Sequence, residues 1–206
     1  MARYTHVVFD IDGTLVDTQQ PILTALRETM MELAGKDMAI SELLFTFGIP
    51  GEEGLRQLGI ADTKAGILVW NEHIRLYRHL MVLFPGVMEL ISALDGINIG
   101  IVTSKAVFEY EEEPALQPIR PIVCAAVCAD HTEKHKPEPD PILKYMELTG
   151  AKREEILYIG DSKYDEMCAH AAGVDFALAM WGAVNKDLPA EWKPETPGDL
   201  KEIILG

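Results

Sequence analysis

Four groups of polar residues stand where short apolar runs of this chain end. Val7-Val8-Phe9 runs into Asp10-Ile11-Asp12-Gly13-Thr14, and Ile99-Gly100-Ile101-Val102 runs into Thr103-Ser104-Lys105. Ile156-Leu157-Tyr158-Ile159 runs into Gly160-Asp161, with Asp165 one helical turn further on. The fourth group, Lys136-Pro137-Glu138-Pro139-Asp140-Pro141, follows a third apolar run and leads into a helical pattern. On a strand, residues two apart share a face, so Asp10 and Asp12 would lie about 7 Å apart between Cα atoms. Gly13 lets the chain leave the strand and turn. With Asp161 and Asp165 these carboxylates make a dense negative site. A pair of unit charges at about 4 Å repels by roughly 4 kcal/mol at an effective dielectric of 20, so a cation must offset them. Hard oxygen ligands in an open site suit Mg2+, with waters and a substrate phosphate completing an octahedron. An EF-hand loop is excluded, because the glycine stands at the fourth position and Pro21 at the twelfth.

The elements that must position these residues follow from the apolar spacing. Thr5–Phe9, Ile97–Val102, Ile122–Cys128, Ile156–Ile159 and Val174–Ala179 are β-rich runs. Between the later ones lie helical patterns. Pro85-Gly86 introduces Val87–Leu94, Asp140 stands as an N-cap with Pro141 at the first helical position, and Asp165–Ala172 stops at Gly173. Strands alternating with helices predict an α/β fold, a Rossmann-like parallel sheet with right-handed crossovers. Ligands of such sheets bind beyond the carboxyl ends of the strands, where all four polar groups fall.

Residues 16–83 break that rhythm. Ile22, Ala25, Leu26, Met30 and Leu33 fall at helical spacing, Ser41 caps a second helix, and Ile67, Trp70, Ile74, Tyr77 and Met81 mark a longer last one. Gly48-Ile49-Pro50-Gly51 reads as a loop between helices, and no strand is evident. We therefore expect a small all-helical domain, 16–83, inserted into an α/β core made of 1–15 and 84–206. His73, Arg75, Arg78 and His79 on the last helix either face a substrate or form a solvated polar face.

Composition narrows the function. The 206 residues carry 18 Lys and Arg against 33 Asp and Glu, a formal net charge of −15. Long-range repulsion then disfavours nucleic acid and anionic membranes as partners, so anionic small molecules need a pocket that locally reverses the field. Apolar runs are too short for a membrane span, and the N-terminus does not read as a signal peptide. The three cysteines form no disulfide pattern, and Cys124 and Cys128 read as core residues of a reduced, cytoplasmic protein. His131 and His135, four apart, suit zinc only if their segment is helical, and the proline-rich stretch that follows argues against this.

Asp10-Ile11-Asp12-Gly13-Thr14-Leu15-Val16-Asp17-Thr18 resembles the first motif of the haloacid dehalogenase-like superfamily. Thr103, Lys136 and Gly160-Asp161-x-x-x-Asp165 are similar to its second, third and fourth motifs, in the same order. The helical insertion resembles the cap domain of the phosphoglycolate phosphatase and β-phosphoglucomutase branch, as do Gly173-Val174 and Trp181-Gly182. The resemblance implies that Asp10 is the nucleophile and a Mg2+ ligand. It implies that Asp12 is the general acid and base, with its backbone carbonyl on the metal. It gives phosphate oxygens to Thr103 and Ser104, charge stabilisation to Lys136, and the metal to Asp161 and Asp165. The segment Glu109–Pro121, with four glutamates and three prolines, departs from the regular helix usual there.

The expected function is a Mg2+-dependent phosphatase that hydrolyses a small phosphomonoester, with 2-phosphoglycolate one example, through an aspartyl-phosphate. The alternatives are a sugar-phosphate mutase, a pyrophosphatase, or a non-catalytic binding protein on the same fold. A dehalogenase is disfavoured because that reaction needs no Mg2+ site. The expected partner is a small phosphorylated metabolite, and the expected assembly a monomer or homodimer. The Phe47–Gly54 loop is the candidate for substrate choice.

Overall fold

The computed structural model describes residues 3–206. In chain order, β1 (His6–Phe9) and the two-residue β2 (Val16–Asp17) precede four helices, α1 (Gln19–Ala34), α2 (Ile40–Leu43), α3 (Gly51–Gln57) and α4 (Thr63–Tyr77). There follow β3 (Val82–Leu83), α5 (Val87–Ala93), β4 (Asn98–Val102), α6 (Val107–Glu112), β5 (Val123–Val127) and α7 (Asp140–Thr149). The chain closes with β6 (Ile156–Gly160), α8 (Lys163–Ala172), β7 (Asp175–Leu178) and α9 (Leu200–Leu205). Two compact units result. One is Thr18–Val82; the other joins the chain up to Asp17 with Leu83–Gly206.

The larger unit is built on a five-stranded sheet in the order β5-β4-β1-β6-β7, parallel throughout. This is the α/β, Rossmann-like fold expected from the alternating pattern. Strands covered on both faces read as unbroken apolar runs, and β1 (HVVF) and β6 (ILYIG) are buried at every position. β5, paired with β4 alone, is an edge strand with only Val127 buried. That placement corrects one expectation: Cys124 is exposed, while Cys128 lies in the core. Tyr145, Tyr158 and Phe176 are the large side chains that fill the space between the sheet and helices α7 and α8.

The smaller unit is helical and closes its own core of Leu23, Leu26, Met30, Leu43, Leu55, Leu58 and Trp70. The buried stripe of α1 is turned slightly from the expected one: Leu23 is fully covered and Leu33 is exposed. The second helix starts after Ala39 rather than at Ser41, because Glu42 reaches back to accept the Ala39 N–H at 2.8 Å. Gly51–Gly54, expected as loop, forms the first turn of α3. His73 is held between Glu28 (3.2 Å) and Glu32 (3.0 Å) of α1, so within this unit it ties two helices together. No helix among the described residues is long and apolar enough to cross a membrane.

Candidate active site

The register of the sheet brings the polar groups to one edge. Phe9 lies opposite Ile101 on β4 and Ile159 on β6, so Asp10, Thr103 and Asp161 follow the ends of three adjacent strands. The Asp10 N–H continues the ladder by donating to the Ile159 carbonyl at 2.8 Å. Thr103 does the same toward Val127 at 2.9 Å, and its Oγ accepts the Lys105 N–H at 3.2 Å, which leaves the hydroxyl proton available. Ser104 is half-buried in the same turn. Lys136 reaches the site from the loop before α7, and Asp165 from the first turn of α8.

Lys136 is the hinge of the charge arrangement. Its Nζ lies 2.9 Å from Asp10 Oδ1 and 2.6 Å from Asp165 Oδ1, with all three side chains almost fully buried. Burial alone would lower the Lys136 pKa, but Asp10 and Asp165 outweigh it and hold the ammonium above its ordinary value. For Asp10 burial dominates. It pushes the carboxyl up to about 7, against the pull of Lys136. Asp161 is driven well above the usual carboxylate range by burial first, and then by Asp165 and Asp10. Its own contact is with the Thr14 hydroxyl, at 3.3 Å.

Asp10, Asp161 and Asp165 present oxygens within 4.8 Å of one another. Two buried carboxyls with raised pKa values on one small volume are a site short of positive charge, and an all-oxygen donor set fits Mg2+. Asp165 is set apart by its hydrogen bonds. Oδ1 accepts from Lys136, and the Tyr158 hydroxyl lies 2.9 Å from it; Oδ2 accepts the Ser162 N–H (3.1 Å) and hydroxyl (2.5 Å). A carboxylate offers about four lone-pair sites; three are taken by Lys136 and Ser162, and the one Tyr158 proton is shared between Asp165 and the Val102 carbonyl. In this arrangement Asp165 suits orienting Lys136, or reaching an ion through water, better than direct ligation. The Asp12 carboxylate lies outside this cluster.

The turn after β1 admits only glycine. Gly13 has φ +79°, and a Cβ there would meet the Asp161 carboxylate at 2.3 Å. From the other side, a Cβ on Gly182 would lie 1.7 Å from the Gly13 carbonyl oxygen, and Trp181 Nε1 donates to the Thr14 carbonyl at 2.9 Å. The 181–182 segment therefore clamps the turn that carries Asp10 and Asp12. We expect Gly182→Ala to displace this turn relative to Asp161 and cut turnover by at least about tenfold, since displacements near 1 Å can cost about a hundredfold. Steady-state kinetics beside a thermal melt would check it, and unchanged turnover in a folded variant would contradict the clamp.

Sequence reasoning assigns no role to Lys105, Tyr158 or Ser162. Lys105 Nζ lies 3.1 Å from Asp12 Oδ1. The Tyr158 hydroxyl lies between Asp165 and the Val102 carbonyl, from a residue that reads as core because it sits mid-strand. Ser162 is the N-cap of α8, a signal that Ser-x-x-Asp does carry. The zinc alternative finds no geometry: His131 sits in a short 3-10 turn, and its Nδ1 accepts the Cys128 N–H at 3.0 Å.

Comparison with known proteins gives one consistent answer. A family model described as haloacid dehalogenase-like hydrolase matches residues 7–179. A "Putative pyrophosphatase PpaX" of Caldanaerobacter subterraneus is 31% identical over 99% of this chain and 96% of its own. "Pyrophosphatase PpaX" of Bacillus cereus is 27% identical over 98% of this chain and 95% of its own. Among solved structures, a "putative phosphoglycolate phosphatase" from Lactobacillus plantarum superposes with a TM-score of 0.90 at 31% identity, covering 98% of this chain and 99% of its own.

Proposed function

The chain belongs to the haloacid dehalogenase-like hydrolase family, and on that premise we propose that it is a Mg2+-dependent phosphatase acting through an aspartyl-phosphate on Asp10. The observation that carries this reading is the buried Asp10–Lys136–Asp165 arrangement beside Asp161. A nucleophilic carboxylate, a fixed ammonium and a cation-demanding pocket lie at one sheet edge. Phosphoryl transfer asks for positioning and charge stabilisation, and this edge offers both.

Asp10 attacks phosphorus while the bond to the leaving oxygen breaks and Asp12 gives that oxygen a proton. Asp12 then takes a proton from the water that attacks the aspartyl-phosphate, and phosphate leaves as the Asp10 carboxylate is restored. Lys136 neutralises charge on Asp10 and the phosphoryl oxygens, and Thr103 and Ser104 hold those oxygens. Asp10, Asp161 and the Asp12 carbonyl would hold Mg2+, with Asp165 behind them. When bound, the ion supplies charge neutralisation and orients the phosphoryl group. The helical unit Thr18–Val82 is, on this reading, the cap, and substrate-recognising residues are sought on it.

The substrate is a small phosphorylated metabolite, which suits a chain of net charge −15 better than nucleic acid or a membrane surface, and the setting is the cytoplasm. Within that class a phosphomonoester such as 2-phosphoglycolate stands first. Pyrophosphate is a second reading, supported by the PpaX names of relatives aligned over nearly the whole chain. Phosphate release from a panel of phosphomonoesters and pyrophosphate, with and without Mg2+, decides between them. No release from any compound would contradict the proposal.

The cation also has a readout that needs no substrate. Asp10, at about 7 in the metal-free site, and Asp161, higher than the usual range, must lose protons to receive it. Saturating Mg2+ at about a hundred times Kd adds about 2.7 kcal/mol, so the melting temperature should rise by roughly 5–10 °C at pH 8. At pH 5.5 the rise should largely vanish. An equal rise at both values would show that the ion binds elsewhere.

A further inference from the structure

We propose that Lys105 is a positioning residue for Asp12: its ammonium, 3.1 Å from Asp12 Oδ1, fixes one oxygen of the carboxyl and leaves Oδ2 to exchange the proton. The inference rests on the reading of Asp12 as acid and base given above. Oδ1 is buried, and among the described residues the Lys105 ammonium is the group that meets it. The pair is shielded from water, the two side chains being only 11% and 16% exposed.

The acid-rich segment after β4 fits this role. Lys105 stands two residues before α6, and Glu109 and Glu113 both act on its charge alongside Asp12. Glu109 is itself anchored, accepting the Ala106 N–H at 2.7 Å. Glu113 is buried, its Oε1 accepts the Ala115 N–H at 3.3 Å, and its carbonyl accepts Arg120 Nη1 at 2.8 Å. Arg120 also holds the Tyr110 carbonyl at 3.0 Å. Thus the break in the helix at Pro114 is tied down, and two carboxylates act on the charge of a largely desolvated lysine. A buried ammonium needs such partners to remain charged. Lys105 transfers no proton. The proton leaves Asp12 for the leaving oxygen, the negative charge left on Asp12 is met by Lys105, and the same carboxylate then accepts a proton from water.

Leaving-group dependence separates this role from a structural one. An alkyl phosphate needs an acid to expel its alkoxide, whereas p-nitrophenyl phosphate leaves without one. With Mg2+ present, Lys105→Met should lower kcat on a primary alkyl phosphate by about 10–100-fold, and on p-nitrophenyl phosphate by no more than about threefold. KM should stay nearly constant, and Lys105→Arg should recover most of the alkyl phosphate turnover. Equal losses on both esters, or no loss on either, would overturn the proposal. Asp12→Asn is run in parallel. If it shows the alkyl-specific loss and Lys105→Met does not, Lys105 is not the positioning group and the role of Asp12 stands. If Asp12→Asn shows no such preference, or if wild type cleaves neither ester, the underlying reading falls and this inference with it.

Discussion

Asp10→Asn should fold, and should release phosphate at least about 10^4-fold more slowly than wild type, the scale of loss when a covalent nucleophile is removed. The amide matches the carboxylate in shape but cannot attack phosphorus. Lys136 keeps its contact with Asp165 at 2.6 Å, so the ammonium is not stranded. The stability effect has a definite sign. In the metal-free protein Asp10 binds its proton up to about pH 7, against an ordinary carboxyl value of 3.8. The folded state therefore holds more protons than the unfolded one between those values, and wild-type stability falls as pH rises through that window. The asparagine variant lacks this loss. Melting curves without Mg2+ should show the variant gaining on wild type from about pH 4 to pH 7. A variant retaining a tenth of wild-type turnover would remove Asp10 from the nucleophile's role.

Lys136→Met carries the second large effect, and it acts on stability as well as rate. Removing one partner from a buried ionic group typically costs about 3–5 kcal/mol, because the partners are left uncompensated. Here Asp10 and Asp165 lose their common cation at once. At pH 8 without Mg2+ the melting temperature should drop by roughly 6–20 °C. Saturating Mg2+ should restore part of it, because a cation replaces some of the missing charge. Turnover should fall by about 10^2–10^3-fold even with Mg2+, the range seen when one preorganised charge-stabilising group is removed. Calorimetry and phosphate release on the same sample check both. A variant as stable and active as wild type would mean that the buried lysine is not needed by either carboxylate.

The strand-end carboxylates were legible because their surroundings are simple. β1 and β6 are buried on both faces, so apart from His6 their sequences are apolar runs and the first polar residue after each marks the sheet edge. Asp10, Thr103 and Asp161 need no knowledge of packing to be placed there. Other features depend on contacts between residues far apart in the chain. Tyr158 lies on β6, and nothing in its neighbours shows that its hydroxyl meets Asp165. Lys105 was visible as part of a polar group, yet its ion pair with Asp12 depends on the course of the chain after two different strands. β2 and β3 have two residues each, too short for alternation to register. Cys124 was misplaced because an edge strand of small apolar residues reads like an interior one.

The central claim is that a phosphoryl group passes through Asp10. It is tested most directly by stopping the reaction in the steady state with acid, reducing the protein with borohydride, and mapping the product by peptide mass. An acyl phosphate is reduced to an alcohol, so a trapped aspartyl-phosphate becomes homoserine. The account requires homoserine at position 10, dependent on both substrate and Mg2+, and absent from Asp10→Asn. Phosphate release at full rate with no reducible acyl phosphate, or with homoserine formed at another aspartate, would contradict it.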